Sequence, residues 1–284
     1  MKPLTITIIL CLITVVPFSL ATAAGTPSAD VVVLTAADVQ DAVDIEAAIQ
    51  AATAYGTRPG TVILDGSRGP FIYSGIDHTI NIFHSNISLR GVRGAVLPGG
   101  VFFDDLPADN ILIENLTFSC LIDHDDCLTS WGEHRNVTLR GNLIMARHFG
   151  IQVAQTQGWT ITQNTVQAEG VAVHILEASE ISVMNNHLSG NIPLQIEASG
   201  SCKAIQNAIQ AGWQGILLAR EAWGNKVIAN SIMGVQAAGI ALEPDTVGNK
   251  VHGNKVLCAA GSACLTVDIS PAALAVNAVS GNQP

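Results

Sequence analysis

The sequence predicts an all-β fold, a single-stranded right-handed parallel β-helix with an N-terminal capping helix. Three observations support this prediction. A short phrase ending in asparagine recurs at a nearly constant period, alternating strands lie between its copies, and no helical periodicity runs through the repeats. Only 13% of the 284 residues are charged, which is low for a helical protein whose outer faces carry Lys and Glu.

The first 24 residues predict a signal peptide. Lys2 gives a positive start, residues 4–16 are apolar, and residues 21–23 form a small-x-small cleavage site. The apolar run is shorter than the about 20 residues that span a bilayer. We therefore expect a secreted protein, extracellular or periplasmic, with no membrane partner after cleavage.

Export also permits disulfides. Cys120 and Cys127 are close enough in sequence to pair, and so are Cys258 and Cys264. The remaining cysteine of the exported chain, Cys202, is expected to be a buried free thiol.

Residues 25–85 are expected to form an N-terminal segment that contains the capping helix and the first strands. The helix is predicted over residues 44–55, with Asp44 as its N-cap, because the apolar residues follow helical spacing. Its predicted buried positions are Ile45, Ala48, Ile49 and Ala52. A cap covers the unpaired strand groups at the end of a β-helix, and residues 271–276 are the candidate cover of the other end.

Residues 86–284 are expected to form the coils. The repeated phrase starts at residues 110, 136, 159, 180, 202, 225, 249 and 277, so its period varies between 21 and 28 residues. A second alternating strand lies between successive copies and starts at residues 150, 170, 192, 215, 239 and 264. Leucine-rich repeats have a similar period, but the leucines here are too irregular for their framework.

The asparagine that ends each phrase is expected to stack with its counterparts in one turn of the coils. Buried stacked amides satisfy one another and the bent backbone, so this ladder is structural. Its predicted members are Asn115, Asn142, Asn164, Asn185, Asn207, Asn230, Asn254 and Asn282.

The charge composition of the chain limits the classes of molecule that it is expected to bind. The chain has 13 Lys and Arg against 23 Asp and Glu, and no run of basic residues. This composition argues against binding nucleic acid or an anionic membrane through a basic patch. An acidic polymer would need local positive charge or a cation. We expect a single-domain monomer whose partner is a polysaccharide.

The coil pattern resembles the pectin-lyase-like β-helix superfamily over residues 44–284. The resemblance includes DIEAAIQAATAYG, GTVILDG and HSNISLRGV. Most members of this superfamily are secreted and act on uronic-acid polysaccharides, whereas some are catalytically silent scaffolds. The resemblance therefore implies the fold more strongly than any activity.

Residues 124–153 resemble the polygalacturonase segment in which a DDC motif precedes GHG by one coil. The resemblance places Asp125 and Asp126 at two of that family's carboxylates, which would act as acid and base in hydrolysis. Phe149 stands at the GHG histidine, with His148 beside it. The catalytic candidates are Asp125, Asp126, His148 and Arg147.

The same segment also resembles pectate lyases, in which Ca²⁺ bridges protein carboxylates and the uronate while a basic side chain removes a proton. This resemblance makes Asp123, Asp125 and Asp126 the candidate Ca²⁺ ligands. Arg135, Arg140 and Arg147 are the candidate bases. A calcium ion would also offset the repulsion between an acidic protein and a polyuronate.

A second set of polar residues is expected on the outer face of the second strands. Aligning those strands puts Ser130, Ala154, His174, Glu197, Ala219, Glu243 and Asp268 in one line. His174 and Glu197 would then lie about 4.8 Å apart on adjoining coils. The substrate-binding candidates are His124, Trp131, His134, Gln152, His174 and Glu197.

Two functions are compatible with these patterns. The favoured hypothesis is an enzyme acting on an acidic, uronic-acid-containing polysaccharide by hydrolysis or β-elimination. The alternative is a β-helix without catalytic activity that binds glycans or has a surface or structural role.

Overall fold

The structure is a computed structural model that describes residues 31–73, 78–104, 106–121 and 126–284. Three parallel sheets wind around one core as a right-handed parallel β-helix, which confirms the predicted fold class. The predicted signal peptide lies outside the described residues. No helix in the described ranges is long and apolar enough to cross a membrane.

The phrase that recurs in the sequence forms the first sheet. In sheet order its strands are β1 Val31–Thr35, β2 Gly60–Asp65, β4 Ile87–Val92, β7 Asp109–Glu114, β10 Arg135–Arg140, β13 Thr160–Thr162, β16 Ser182–Met184, β19 Lys203–Ile205, β22 Lys226–Ile228, β25 Lys250–His252 and β28 Ala278–Ser280.

The second sheet consists of short strands that sequence analysis did not separate from the turns. They are β5 Val96–Leu97, β8 Thr117–Cys120, β11 Leu143–Ala146, β14 Thr165–Ala168, β17 His187–Gly190, β20 Ala208–Ala211, β23 Ser231–Val235 and β26 Lys255–Cys258. A strand of about four residues buries only one or two side chains, so its alternation is too short to recognise.

The second alternating strand of the sequence forms the third sheet, which carries the candidate site. Its strands are β3 Ile80–Ile82, β6 Val101–Phe103, β9 Leu128–Trp131, β12 Phe149–Ala154, β15 Val171–Leu176, β18 Leu194–Glu197, β21 Gln214–Ala219, β24 Ala238–Leu242 and β27 Leu265–Ile269. In each coil, one face of every strand faces the core, where Phe103, Phe118 and Trp159 are the largest fully buried side chains among the coil strands and turns.

A ladder of amides, all buried except the half-buried Asn282, joins the first and second sheets. Its members are Asn142, Asn164, Asn186, Asn207, Asn230, Asn254 and Asn282. Asn186 therefore replaces the predicted Asn185, which is exposed and has a positive φ of 56°. Asn115 is also exposed, and its predicted place is taken by the backbone amide of Leu116, which donates to Asn142.

A second, shorter ladder lies at the turn that leads into the first sheet. It runs through Asn225, Asn249 and Asn277, and the backbone amide of Cys202 donates to its first member. The Cys202 thiol is free and buried, as predicted, and burial raises its pKa to about 11. Both cysteine pairs that the sequence allows, Cys120 with Cys127 and Cys258 with Cys264, form disulfides.

The capping helix, α1, spans Ala42–Thr53 and packs against β1, β2 and β3. Its N-cap is Asp41, three residues before the predicted one, because the Asp41 carboxylate accepts from the Val43 amide. Asp44 instead accepts from the Asp41 amide and completes a capping box. Within the described ranges, the other helical elements are a 3₁₀ turn at Gly66–Arg68 and α2 at Pro271–Leu274.

Candidate functional site

Two rows of side chains follow the outer face of the third sheet. In the first row, called the Gln152 row, each residue lies opposite the next one on the adjoining strand. Its members are Thr129, Gln152, His174, Gln195, Leu217, Ala241 and Asp268. The Ala154 row pairs Trp131, Ala154, Leu176, Glu197 and Ala219.

The predicted single line of outward residues is therefore wrong. His174 belongs to the first row and Glu197 to the second, while Ser130 faces the core and is fully buried. The prediction aligned the second strands by their ends. In the structure, β15 and β18 pair so that the inward residues Ile175 and Ile196 lie opposite each other. A shift of one residue in this register moves every side chain to the other face of the sheet.

Asp126 and His148 form a pair at the start of this face. The Nδ1 atom of His148 lies 3.3 Å from Oδ1 of Asp126, which also accepts a hydrogen bond from the Phe149 amide at 3.1 Å. The His148 side chain is 58% exposed. A polar cleft of about 380 Å³ opens beside Asp126, with Asn81 and Thr129 in its wall.

An aromatic contact connects this pair to the rest of the face. The ring of Phe149 lies 4.0 Å from that of His148 and stacks at 5.0 Å on that of His174. The next residue, Gly150, faces the core and has no room for a side chain, because a Cβ atom there would approach Val166 Cγ1 to 2.3 Å.

His174 lies at the centre of a buried polar network. Its Nδ1 atom is 3.3 Å from Nε2 of Gln152, and its Nε2 atom is 3.4 Å from Oε2 of Glu197. Glu197 also accepts from Gln195 at 2.5 Å and lies 3.8 Å from the guanidinium of Arg220. Because the Gln152 amide is a donor, His174 carries its proton on Nε2 and donates it to Glu197.

The other predicted residues are dispersed. Trp131 is partly exposed and Arg147 is exposed at the surface beside His148. His134 is fully buried inside the solenoid, where its Nδ1 atom accepts from the Ala108 amide, so no ligand on the outer face can reach it. Asp123, His124 and Asp125 lie outside the described residues.

Two members of this face, Phe149 and Gln195, were not among the predicted site residues. Arg220 lies beside Glu197, as the alignment of the second strands indicates. Phe149 was considered only as the residue at the position of the GHG histidine, and not as a member of the outer face.

The buried histidines predict a pH-dependent stability. Burial lowers the pKa of His174, against the opposing charge of Glu197, and burial also lowers the pKa of His134. The unfolded chain therefore binds more protons than the folded chain once the pH falls below about 6.5. We expect full stability above that pH and a loss of stability as the pH falls through the lowered pKa values.

Urea denaturation at about pH 7.5 and about pH 5.5 checks this expectation. The wild-type midpoint should be lower at the acidic pH, and His174→Gln should show a smaller difference between the two values. His187→Gln, which changes an exposed histidine on the second sheet, is the control. An identical pH difference in wild type and His174→Gln would contradict the role of His174.

The fold and the outer face define a β-helix protein with a row of polar side chains along one sheet. The chain matches the model of the family described as periplasmic copper-binding protein (NosD) over residues 53–202 and 135–283. Because these matches take in most of the coils, the chain belongs to the NosD family. The periplasmic description and the two disulfides are consistent with a location outside the cytoplasm.

Solved structures with the same fold include an enzyme and an adhesin. DFA-IIIase from Arthrobacter chlorophenolicus A6, as its C387A mutant in complex with DFA-III, is 19% identical with a TM-score of 0.53, and the match covers 76% of this chain and 57% of that one. PfbA, a surface adhesin of Streptococcus pneumoniae, is 10% identical with a TM-score of 0.55, and the match covers 89% and 93%.

These identities establish the fold alone. This chain spans 57% of the length of the DFA-IIIase mutant. A comparison with curated proteins found no match.

The family description raises the question of a copper site. Copper favours imidazole and sulfur ligands. Within the described ranges, no three His, Cys, Asp or Glu side chains are close enough to hold a metal ion, and four of the cysteines there are in disulfides. The described residues thus do not fit a copper centre, and no copper chemistry is assigned to them.

Proposed function

We propose that the protein acts on a uronic-acid-containing polysaccharide at the outer face of the third sheet. The observation that carries this proposal is the contact of His148 with Asp126, whose side chain lines a polar cleft. A carboxylate on Nδ1 fixes the ring and its tautomer, so that Nε2 is the nitrogen that can take up a proton. Nε2 of His148 has no hydrogen-bond partner among the described residues.

A general base of this kind suits β-elimination. His148 Nε2 would remove the proton on the carbon next to the uronate carboxylate, the electron pair would form a carbon–carbon double bond, and the glycosidic oxygen would leave and take a proton from water. Arg147, which is exposed and adjacent in sequence, would pair with the uronate carboxylate. In the hydrolytic version, Asp125 and Asp126 would instead be acid and base.

Calcium is the cofactor that this chemistry would use. Oδ1 of Asp126 is engaged by His148 and the Phe149 amide, while Oδ2 has no partner within the described ranges. Together with Asp123 and Asp125, that oxygen would supply the hard ligands that Ca²⁺ prefers. The ion would neutralise the substrate carboxylate and make the proton next to it more acidic.

Incubation with a panel of polyuronates, with and without Ca²⁺, tests the proposal. New reducing ends and the ultraviolet absorbance of unsaturated products are followed together. Calcium-dependent absorbance is expected for elimination, whereas reducing ends without absorbance would indicate hydrolysis and favour the carboxylate pair. No product from any polyuronate would refute an enzymatic role.

The closed network around His174 favours the second candidate function, a glycan-binding protein without catalysis. Both ring nitrogens of His174 are engaged, and Glu197 has three partners, so these groups are not free to transfer protons. On this alternative the network shapes a binding surface. Polyuronate binding by equilibrium dialysis, together with no product in the panel, is its expected signature.

A further inference from the structure

Three lysines stack on the first sheet, away from the candidate site. Lys203 pairs with Lys226, and Lys226 pairs with Lys250, on the consecutive strands β19, β22 and β25. Neighbouring strands lie about 4.8 Å apart, so the three side chains start from a straight line parallel to the solenoid axis. These residues are referred to as the lysine column.

The lysine column does not stabilise the fold. All three side chains are exposed, and none forms an ion pair within the described ranges. Like charges placed directly opposite each other on adjacent strands destabilise a sheet. The same position in earlier coils is occupied by uncharged polar residues, such as Thr160 and Ser182. A polar outer surface at this position therefore does not require lysine.

The part of the chain from residue 198 onward, which contains the column, has little negative charge. From residue 198 onward, five Lys and Arg residues outnumber four Asp and Glu residues, although the whole chain has 13 against 23. The strands β19, β22, β25 and β28 contain no acidic residue. His252 follows Lys250 on β25, and Lys255 begins β26 beyond the next turn. The column is thus a local region of positive charge on an acidic protein.

An aromatic surface flanks the column at the preceding turn. Trp223, three residues before Lys226, is 51% exposed and is paired with Gly200 and Val247 on the adjacent coils. Its indole lies over Gly200, where a Cβ atom would come within 2.1 Å of Cε2. The absence of a side chain at Gly200 lets the ring lie against the backbone while about half of the residue stays exposed.

We propose that the lysine column and Trp223 bind a linear polyuronate chain along the solenoid axis, at a site separate from the outer face of the third sheet. A polyuronate carries one carboxylate per sugar, so its negative charge repeats along the chain as the lysines repeat along the solenoid. The indole would stack on a sugar ring. This inference does not rest on the catalytic proposal, because it concerns binding on another sheet.

Nucleic acid is a poorer occupant. Duplex DNA presents about one charge per 1.7 Å of its axis, which is far denser than one lysine per coil. The strongly acidic remainder of the protein would repel such a polymer. A polyuronate has a lower charge density, and its sugars can use the tryptophan.

The first experiment removes the charge. The variant with Lys203→Gln, Lys226→Gln and Lys250→Gln is compared with the wild type for polygalacturonate binding by affinity electrophoresis. We expect binding at least about tenfold weaker, since three ion pairs are lost, and a weaker dependence on salt. Measuring both proteins in an Asp126→Asn background keeps this result separate from any turnover. Equal affinity of the two proteins would overturn the proposal.

The second experiment extends the column. Ser182 pairs with Lys203, so Ser182→Lys adds a fourth charge in register. Ser189→Lys adds the same charge at a half-buried serine on the second sheet and is the matched control. We expect Ser182→Lys to bind polygalacturonate about threefold more tightly and Ser189→Lys to bind it as the wild type does. An equal gain in both variants would mean that net charge matters and the column does not.

Three further ligands test the identity of the occupant. A neutral polymer of the same sugar should not bind, because it lacks carboxylates. Tighter binding of single-stranded DNA or of vesicles of anionic lipid than of polygalacturonate would overturn the assignment to a polyuronate. Trp223→Ala should weaken polygalacturonate binding and leave the salt dependence unchanged, as expected for a stacking contact.

Discussion

Replacing His148 by Gln is expected to lower kcat/KM on the best polyuronate by about 10²- to 10⁴-fold, the contribution usual for a general base. Two other histidines of the predicted site cannot replace it as the base: His174 is engaged at both ring nitrogens and His134 is buried. Because His148 is exposed, the variant should keep the melting temperature of the wild type within a few degrees.

Asp126→Asn tests the contact between His148 and Asp126 by changing the carboxylate instead of the imidazole. An amide can still accept from the Phe149 backbone, but it no longer orients His148 with a full negative charge. We expect activity to be abolished without a loss of more than a few degrees in melting temperature. His187→Gln, on the second sheet, is the matched control for the histidine variant. Retained activity in either site variant would refute the assignment.

Asn186→Ala is expected to lower the free energy of unfolding by about 3 kcal/mol. Its side chain donates to the Ile161 carbonyl and accepts from the Asn164 amide, so alanine leaves two buried backbone groups without partners. Each such group costs about 1 to 3 kcal/mol. Urea denaturation followed by far-ultraviolet circular dichroism measures the change.

Asn185→Ala is the matched control, because it removes the same side chain one residue earlier. Asn185 is exposed, and its positive φ makes alanine cost about 1 kcal/mol. The comparison also tests the register of the ladder. If Asn185→Ala were the more destabilising change, the sequence-based ladder would be right and the observed one wrong.

The repeat explains why the fold could be predicted in such detail. Each coil repeats the same alternation of inward and outward residues, so eight copies of a weak pattern give a strong signal. The error at Asn185 has a local cause. MNN at residues 184–186 offers two asparagines, and only the backbone conformation decides which one faces the turn.

The candidate site was predicted only in part. Asp126 and His148 were both chosen from a family resemblance, and the structure adds the contact between them. His134 was chosen because it is polar and close in sequence, but its side chain occupies the core beside Phe103. Burial of a histidine depends on the packing of neighbouring coils, which a linear sequence does not display.

The sequence by itself determined the coil architecture and the presence of a capping helix, because these depend on local periodicity, whereas the structure decided which cysteines pair. Tertiary structure decided the register in which side chains meet across coils. His174 and Glu197 are neighbours as expected, but they belong to different rows. Lys203, Lys226 and Lys250 pair in register although 23 and 24 residues separate them. In a solenoid, residues one coil apart are neighbours, so an acidic chain without a basic run can still build a basic column.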